Sequence, residues 1–402
     1  MAEITHSSRK TGERGPLEAG PVPLAPQRLA RPLRVAIVAP SLRQLSGGQE
    51  VQANLLLHSW SGDPAVSASF IASNPPLPLQ AEKIPYLRTI LRFPFYLASL
   101  FAGLRDVDIA HIFSAASTSF LLCTVPAYCV ARLLGKKTVV HYHSARAEAH
   151  MAGSPFAPDL LRAVDFLAVP SGYLVEIFTK FDIDAGAVPN VVDLTQFSYR
   201  QRDSFQPRLL CSRNLEPWYG IETVVQAFAE IKQAFPSATL VILGSGSQEN
   251  KVRALVSKLK LTGINMAGRV TRTAIGRLYD EADILINGSL IDNMPVSIVE
   301  AFASGVVVAT TGAGGIPHMV KHLETGMISG VGDAQALAAN VIRLLREPLL
   351  ARRIAANAHQ QSLQYRWDVV REQWLRLYSR LWSNGEIVNG RHPSNSPVRR
   401  GP

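Results

Sequence analysis

Cysteine is scarce: three in 402 residues, Cys123, Cys129 and Cys211, all in apolar segments and without ligand spacing. That excludes a disulfide scaffold or a zinc framework and predicts buried free thiols in a reducing compartment. Long hydrophobic runs are missing too. The longest apolar pieces, FPFYLASLFAGL (93–104) and FLLCTVPAYCVARLLG (120–135), are broken by proline or closed by charge, so neither reads as a spanning helix. The opening MAEITHSSRKTGERGPLEAG lacks the apolar stretch of a signal peptide. No repeat of 20–50 residues is visible. The Gly-x-Gly-x-x-Gly fingerprint is absent as well, which counts against an NAD-dependent Rossmann enzyme. Acids are in deficit, giving a formal net charge of +10. Such an excess suits an anionic partner: a phosphorylated small molecule, a nucleic acid or an anionic membrane. The charge is spread through tails and loops and not concentrated on one aromatic-laced face, which counts against nucleic acid.

What is present is apolar patterning, with hydrophobic residues at 47%. Short runs rich in β-branched residues recur at 33–40, 65–72, 107–113, 137–143, 165–171 and 185–193. A second series follows at 208–215, 238–246, 264–268, 283–289, 306–311 and 326–330. Helical-period segments separate them, so the fold class is α/β, with two Rossmann-like doubly wound parallel sheets in tandem. The expected organisation is a disordered tail (1–32), an N-terminal domain (33–192), a linker (193–206) and a C-terminal domain (207–364). A C-terminal helix crossing back to the first domain (365–383) and a second disordered tail (384–402) complete it. Ligands of such sheets bind at the carboxyl ends of the strands, here in a cleft between the domains.

Candidate residues sit at those strand ends. Gly47 and Gly48 follow the first strand and open a helix; they admit an anion at its N-terminus, or simply make a turn. His141 and His143 share one face of a strand that closes near Arg146. Either histidine could orient a hydroxyl or move a proton; a structural role is the alternative. No third ligand with convincing spacing makes them a metal pair. Arg213, where the chain leaves its strand, could grip phosphate oxygens or pair with Glu216 on the surface. Gly244-Ser245-Gly246 could admit a phosphate or form a turn. Gly268, Arg269 and Val270 form a loop able to read a flat base edge, or a plain connection.

The stretch SLIDNMPVSIVEAFASG (289–305) places Asp292 and Glu300 eight positions apart around a helix start. Pro295 suits the first turn, so a helix is predicted from about Pro295 to Ser304. Its free N–H groups would attract a diphosphate. Glu300 could accept from a ribose diol and Asp292 from sugar hydroxyls; the bland reading is that Asp292 or Asn293 only caps the helix.

Taken in order, Gly47-Gly48, VPNVVDLTQF, GSGS, GRV, ADILINGS, Asp292-x7-Glu300 and GGIPHMV resemble the family-four retaining glycosyltransferases of the GT-B fold (group 1 glycosyltransferases) over roughly residues 33–382. The resemblance implies a nucleotide-sugar donor, UDP- or GDP-linked, on the C-terminal domain and a glycan or lipid-linked acceptor on the N-terminal one. It implies retention of anomeric configuration, no metal, no cofactor, and work in bacterial polysaccharide or glycolipid biosynthesis. His143, Arg213 and Asp292 take the catalytic roles. Donor binding falls to Gly47, Gly48, Gly244, Gly268, Arg269, Val270, Asn293, Met294, Pro295, Val296 and Glu300. Three positions depart from the pattern: Tyr219 stands where a second, phosphate-binding Lys is common, Asp292 replaces Glu, and His318 stands where a Glu often follows GGxP. Tyr219 supports an alternative, a catalytically weak homologue that acts as a binding partner in a glycan assembly complex. The segment 83–105, with Lys83, Arg88, Arg92 and Arg105 flanking aromatics, suits peripheral contact with an anionic membrane, or a core helix with solvated arginines. These readings together place the protein in the cytoplasm, at the inner face of the cytoplasmic membrane.

Overall fold

The computed structural model describes residues 31–41, 48–77 and 87–388. Gly47, Lys83, Tyr86 and nearly all of both expected tails lie outside the described residues. The described chain holds two six-stranded sheets, every pair of neighbouring strands parallel.

The first sheet comprises β1 (Leu33–Ala39), β2 (Val66–Ala72), β3 (Ile109–Ser114), β4 (Lys137–Tyr142), β5 (Phe166–Val169) and β6 (Gly186–Ala187), in the order β2-β1-β3-β4-β5-β6. The second comprises β7 (Arg208–Ser212), β8 (Thr239–Leu243), β9 (Ile264–Gly268), β10 (Ile284–Asn287), β11 (Val307–Thr311) and β12 (Met327–Ser329). Its order, β12-β11-β10-β7-β8-β9, is the Rossmann order 3-2-1-4-5-6 read from the other edge. The expected α/β architecture is thus borne out.

The strands read as continuous apolar runs because both faces are covered. In the second sheet Leu209, Cys211, Ile284, Ile286, Val307 and Ala309 pack with Val224, Phe228, Leu337 and Val341 on one side. The alternate residues Leu210, Leu285 and Val308 pack with Tyr279, Ile298 and Phe302 on the other. The two-residue period of a strand makes that division.

Three expectations change. The segment 185–193 is a strand only at Gly186–Ala187, because Pro189 has no N–H with which to extend the ladder. Cys129 is exposed, not buried. The helix Val125–Leu133 buries Pro126, Ala127, Val130 and Ala131, and helical spacing turns Cys129 away from that stripe. The last helix runs Trp367–Val388, beyond the expected end at 383, since no proline stands before Pro393 to stop it. It lies against the first sheet: Trp374 is buried 4.7 Å from His111 and 5.1 Å from His141, centroid to centroid. Trp367 meets Trp60 edge-on at 4.7 Å, and Arg371 pairs with Asp63.

Candidate active site: a cleft at the strand ends

The switch point of the second sheet lies between β7 and β10, where successive connections leave in opposite directions and a crevice opens. Arg213 follows β7 directly, and Asp292 sits in the loop after β10. They form an ion pair, their side chains only 11% and 9% exposed. The Asp292 carboxylate also accepts from the Ser289 hydroxyl at 3.0 Å and from the Asn293 N–H at 2.9 Å. Arg213 is therefore not a surface residue paired with Glu216; Glu216 instead accepts from the Ser247 hydroxyl at 2.7 Å. Asp292 takes a single guanidinium nitrogen, Nη2, while Nε is buried with no partner among the described residues. A guanidinium carries five N–H donors, so this one keeps donors for a phosphate.

The Arg213 guanidinium lies 3.9 Å above the ring of Tyr219. Tyr219 ends the short turn Pro217–Tyr219, and Gly220 then takes a left-handed backbone (φ 56°) to enter the helix Ile221–Ala234. A Cβ on Gly220 would stand 2.0 Å from the Gly288 carbonyl oxygen, so only glycine lets this turn close on the β10 loop. Gly244, after β8, has φ 104°, and a Cβ there would meet the Arg213 carbonyl at 2.4 Å. The Gly-Ser-Gly loop is thus a close backbone approach that seats the Arg213 turn.

The helix after Asp292 runs Val296–Ala303, within a residue of expectation at each end. Pro295 is its N-cap and no side chain caps it, so neither Asp292 nor Asn293 is the cap. Its first turn opens on the cleft with its end charge available. Glu300 accepts a hydrogen bond from the Tyr279 hydroxyl at 2.7 Å. Tyr279 is fully buried, and burial holds its hydroxyl far from ionisation, so it acts as a fixed donor. No local pattern in the sequence points to Tyr279, because it approaches from a separate helix, Arg272–Glu281.

One cleft of about 920 Å³ is lined by Gly48, His143, Arg213, Gly244, Arg269, Val270, Asp292, Asn293, Met294, Pro295, Val296 and Glu300. Tyr219 lines it too. Gly268 does not; its carbonyl instead accepts from the Gly244 N–H at 2.7 Å and ties β9 to the β8 loop. Arg269 is held at the rim, its Nε donating to Ser245 Oγ at 2.7 Å. Asn293 and Met294 reach the first sheet's loops: Asn293 accepts from the Ser171 hydroxyl, and Met294 Sδ accepts from the Asn190 N–H at 3.3 Å. His318 is not a cleft residue; it lies 3.7 Å from Glu176, beside Gly172. Arg146 occupies the N-cap position of the helix Ala147–Gly153, with no side-chain capping bond, and does not line the cleft. Among the described residues, no group of three or more His, Cys, Asp or Glu is placed to hold a metal ion.

Residues 196–361 match the family described as glycosyl transferases group 1. The chain is 28% identical over 294 residues to an exopolysaccharide phosphotransferase of Streptomyces coelicolor, covering 70% of this chain and 31% of that one. It is 26% identical to a phosphatidyl-myo-inositol mannosyltransferase of Mycobacterium leprae, over 51% and 56% of the two chains. An amylovoran biosynthesis glycosyltransferase of Erwinia amylovora is 30% identical over 38% and 40%. The chain thus spans between about a third and just over half of the length of these relatives. Among solved structures, sucrose-phosphate synthase of Thermosynechococcus elongatus aligns over 88% of this chain and all of its own, at 19% identity and a TM-score of 0.70. Anabaena HepE in complex with UDP-glucose aligns over 87% of this chain and all of its own, at 16% identity and a TM-score of 0.69. With the second sheet in Rossmann order and the candidate residues gathered at its switch point, residues 196–361 belong to the group 1 glycosyltransferases, and the chain that carries them has the GT-B fold.

Proposed function

We propose that this protein transfers a sugar from a nucleoside-diphosphate donor to a glycan or lipid-linked acceptor, with retention at the anomeric carbon. The observation that carries this reading is Arg213. It is stacked on Tyr219, held through one nitrogen by Asp292, and left with a buried Nε, at the mouth of an uncapped helix start. Such donors, fixed before the reaction, stabilise the charge that develops on a departing diphosphate. Glu300, oriented by Tyr279, takes the ribose diol; Asp292 and the backbone of 293–296 hold the donor sugar; His143 faces them across the cleft. Arg269 and Val270 flank the base. UDP is the favoured nucleotide, supported by the HepE structure with UDP-glucose. A bacterial surface glycan or glycolipid as product is supported by the amylovoran and phosphatidyl-myo-inositol relatives. The chemistry uses no metal, so transfer should persist in EDTA.

The test is nucleotide release from UDP- and GDP-sugars with a bacterial lipid extract, with the product anomer read by NMR. Arg213→Ala is expected to lower the rate ~100- to 1,000-fold with the fold intact. Glu300→Ala should chiefly raise the donor KM. Full activity in both variants would refute the assignment.

Tyr219 and the Asp292 pairing also support a second reading, a binding subunit with little turnover. It predicts a Tm rise with UDP but no release with any donor and acceptor. The helix Leu87–Leu104 supports a peripheral membrane contact at the cytoplasmic face. Ile90 is 68% and Phe95 57% exposed on it, with Phe93 and Phe101 also outside, while Tyr96 and Leu100 anchor its inner side. Co-sedimentation with phosphatidylglycerol vesicles, lost in Ile90→Asp/Phe95→Asp, tests this. No helix of the described residues is long and apolar enough to cross a membrane.

A further inference from the structure

A file of polar rings runs through the first sheet to the cleft. His111 on β3 and His141 on β4 share the face covered by the last helix, both nearly fully buried. The Tyr378 hydroxyl, on that helix, meets His111 Nδ1 at 2.6 Å, and His111 Nε2 meets His141 Nδ1 at 3.2 Å. Next comes His143, its ring centroid 4.1 Å from that of His141 and 5.1 Å from that of Phe113. His141 Nε2 and His143 Nε2 are each buried without a hydrogen-bond partner among the described residues.

A neutral imidazole has one N–H and one lone pair, so a chain of them has only two self-consistent directions. In one, Tyr378 donates to His111, His111 Nε2–H donates to His141 Nδ1, and His141 is left with Nε2–H. In the other every bond reverses, and the Tyr378 hydroxyl proton must find another acceptor. The His111 nitrogen is the one hydrogen-bond partner the Tyr378 hydroxyl has among the described residues, and it is fully buried, so the second direction strands a buried O–H at a cost of roughly 1–3 kcal/mol. The first direction wins. His141 then presents a donor beside the buried, empty lone-pair position of His143. The two rings lie 4.1 Å apart by centroid, and two N–H groups in that buried space would both go unmet, so His143 Nε2 keeps its lone pair. The proton of His143 is thereby driven to Nδ1, the other ring nitrogen of this cleft-lining residue.

We infer that Tyr378, His111 and His141 are positioning residues that fix the tautomer of His143, so that it meets the donor sugar as an Nδ1–H hydrogen-bond donor and not as a base. Burial supports the neutral state throughout: it depresses the His111 and His143 pKa values to about 3 and that of His141 well below the usual imidazole range. This deepens the transferase reading and rests on it for the role of His143, but the tautomer pattern stands on its own.

The test has two arms. In protein carrying ¹⁵N-histidine, long-range ¹H–¹⁵N spectra at neutral pH should show His111 and His141 as Nε2–H and His143 as Nδ1–H. In Tyr378→Phe, which removes only the terminal donor, both directions of the file become comparable and His143 should become a tautomer mixture. An Nε2–H signature for His143 in the parent protein, or a pure Nδ1–H signature surviving in a folded Tyr378→Phe, overturns the inference. The second arm compares His143→Asn, whose amide N–H falls near the position of Nδ1, with His143→Gln, whose amide falls near Nε2. The Asn variant should outperform the Gln variant at least tenfold in kcat/KM, and equality or the reverse order counts against the inference. If no donor supports transfer at all, the proposed function fails while the spectra still decide the file.

Discussion

At the scale of single residues, Tyr219 shows how a departure from a family pattern is absorbed. A lysine there would add a second cation to the proposed diphosphate site. The tyrosine adds none, but its ring carries the Arg213 guanidinium at 3.9 Å, and a cation over a partly desolvated ring is worth ~1 kcal/mol. Tyr219→Leu should therefore weaken UDP binding about fivefold by calorimetric titration, with little change in Tm. Asp292 has a double role, as it neutralises Arg213 and shapes the loop through Ser289 and Asn293. Asp292→Asn leaves a nearly buried guanidinium uncompensated and should cost ~2–3 kcal/mol. UDP should then raise the Tm of this variant more than that of the parent protein, because the phosphate replaces the missing charge; an equal or smaller rise would count against a shared Arg213. The positions of Arg213, Asp292 and Glu300 were legible in the sequence because the first two stand just past strand ends and the third stands one turn into the helix that follows. Tyr279 was not, since its contact to Glu300 bridges 21 residues between two helices.

At the scale of elements, the segment read as a linker is firmly docked. Arg202 is 3% exposed, and its side chain pairs with Asp283 and donates to the carbonyls of Ala282, Tyr279 and Ser304. Asp283, fully buried at the start of β10, also holds Arg208 at 2.8 Å. Desolvation lowers the Arg202 pKa to about 10, and Asp283 opposes that shift. Removing one partner from such a cluster strands buried charge, so Asp283→Ala should cost ~3–5 kcal/mol in urea unfolding. A loss below ~1 kcal/mol would mean that the carbonyls alone satisfy Arg202. Polar and proline composition suggested a linker here, because a buried arginine bonded to carbonyls has the same local sequence as a solvated one.

At the scale of the whole molecule, the last helix seals the first sheet with a polar seam. His111 is fully buried and its pKa is depressed to about 3 by desolvation; His141 shifts in the same direction. Unfolding restores both to ~6.5, so below that pH the unfolded chain binds more protons than the native one. Stability is therefore complete above ~6.5 and falls as pH drops from there towards 3, by up to ~1.4 kcal/mol per pH unit for each histidine. Urea midpoints measured between neutral pH and mild acid should decline before the carboxylates titrate, and His111→Phe should flatten the slope. An unchanged slope in that variant would mean that His111 is already protonated or hydrated in the native state.

The sequence by itself determined the α/β architecture, because β-branched runs alternating with helical periods admit a doubly covered parallel sheet and little else. It also determined that Arg213, Asp292 and His143 stand just past strand ends, where such sheets bind ligands, and that Glu300 stands one turn into the adjoining helix. Only the tertiary structure decided which of them meet. Strand order, not chain order, brings β7 beside β10 and so joins Arg213 to Asp292 across 79 residues. The return of the last helix joins Tyr378 to His111 across 267. Local patterns encode which face a residue presents. Which surface that face meets follows from long-range packing of sheets and helices, where the hydrophobic gain depends on the whole buried area and not on any one stretch of chain.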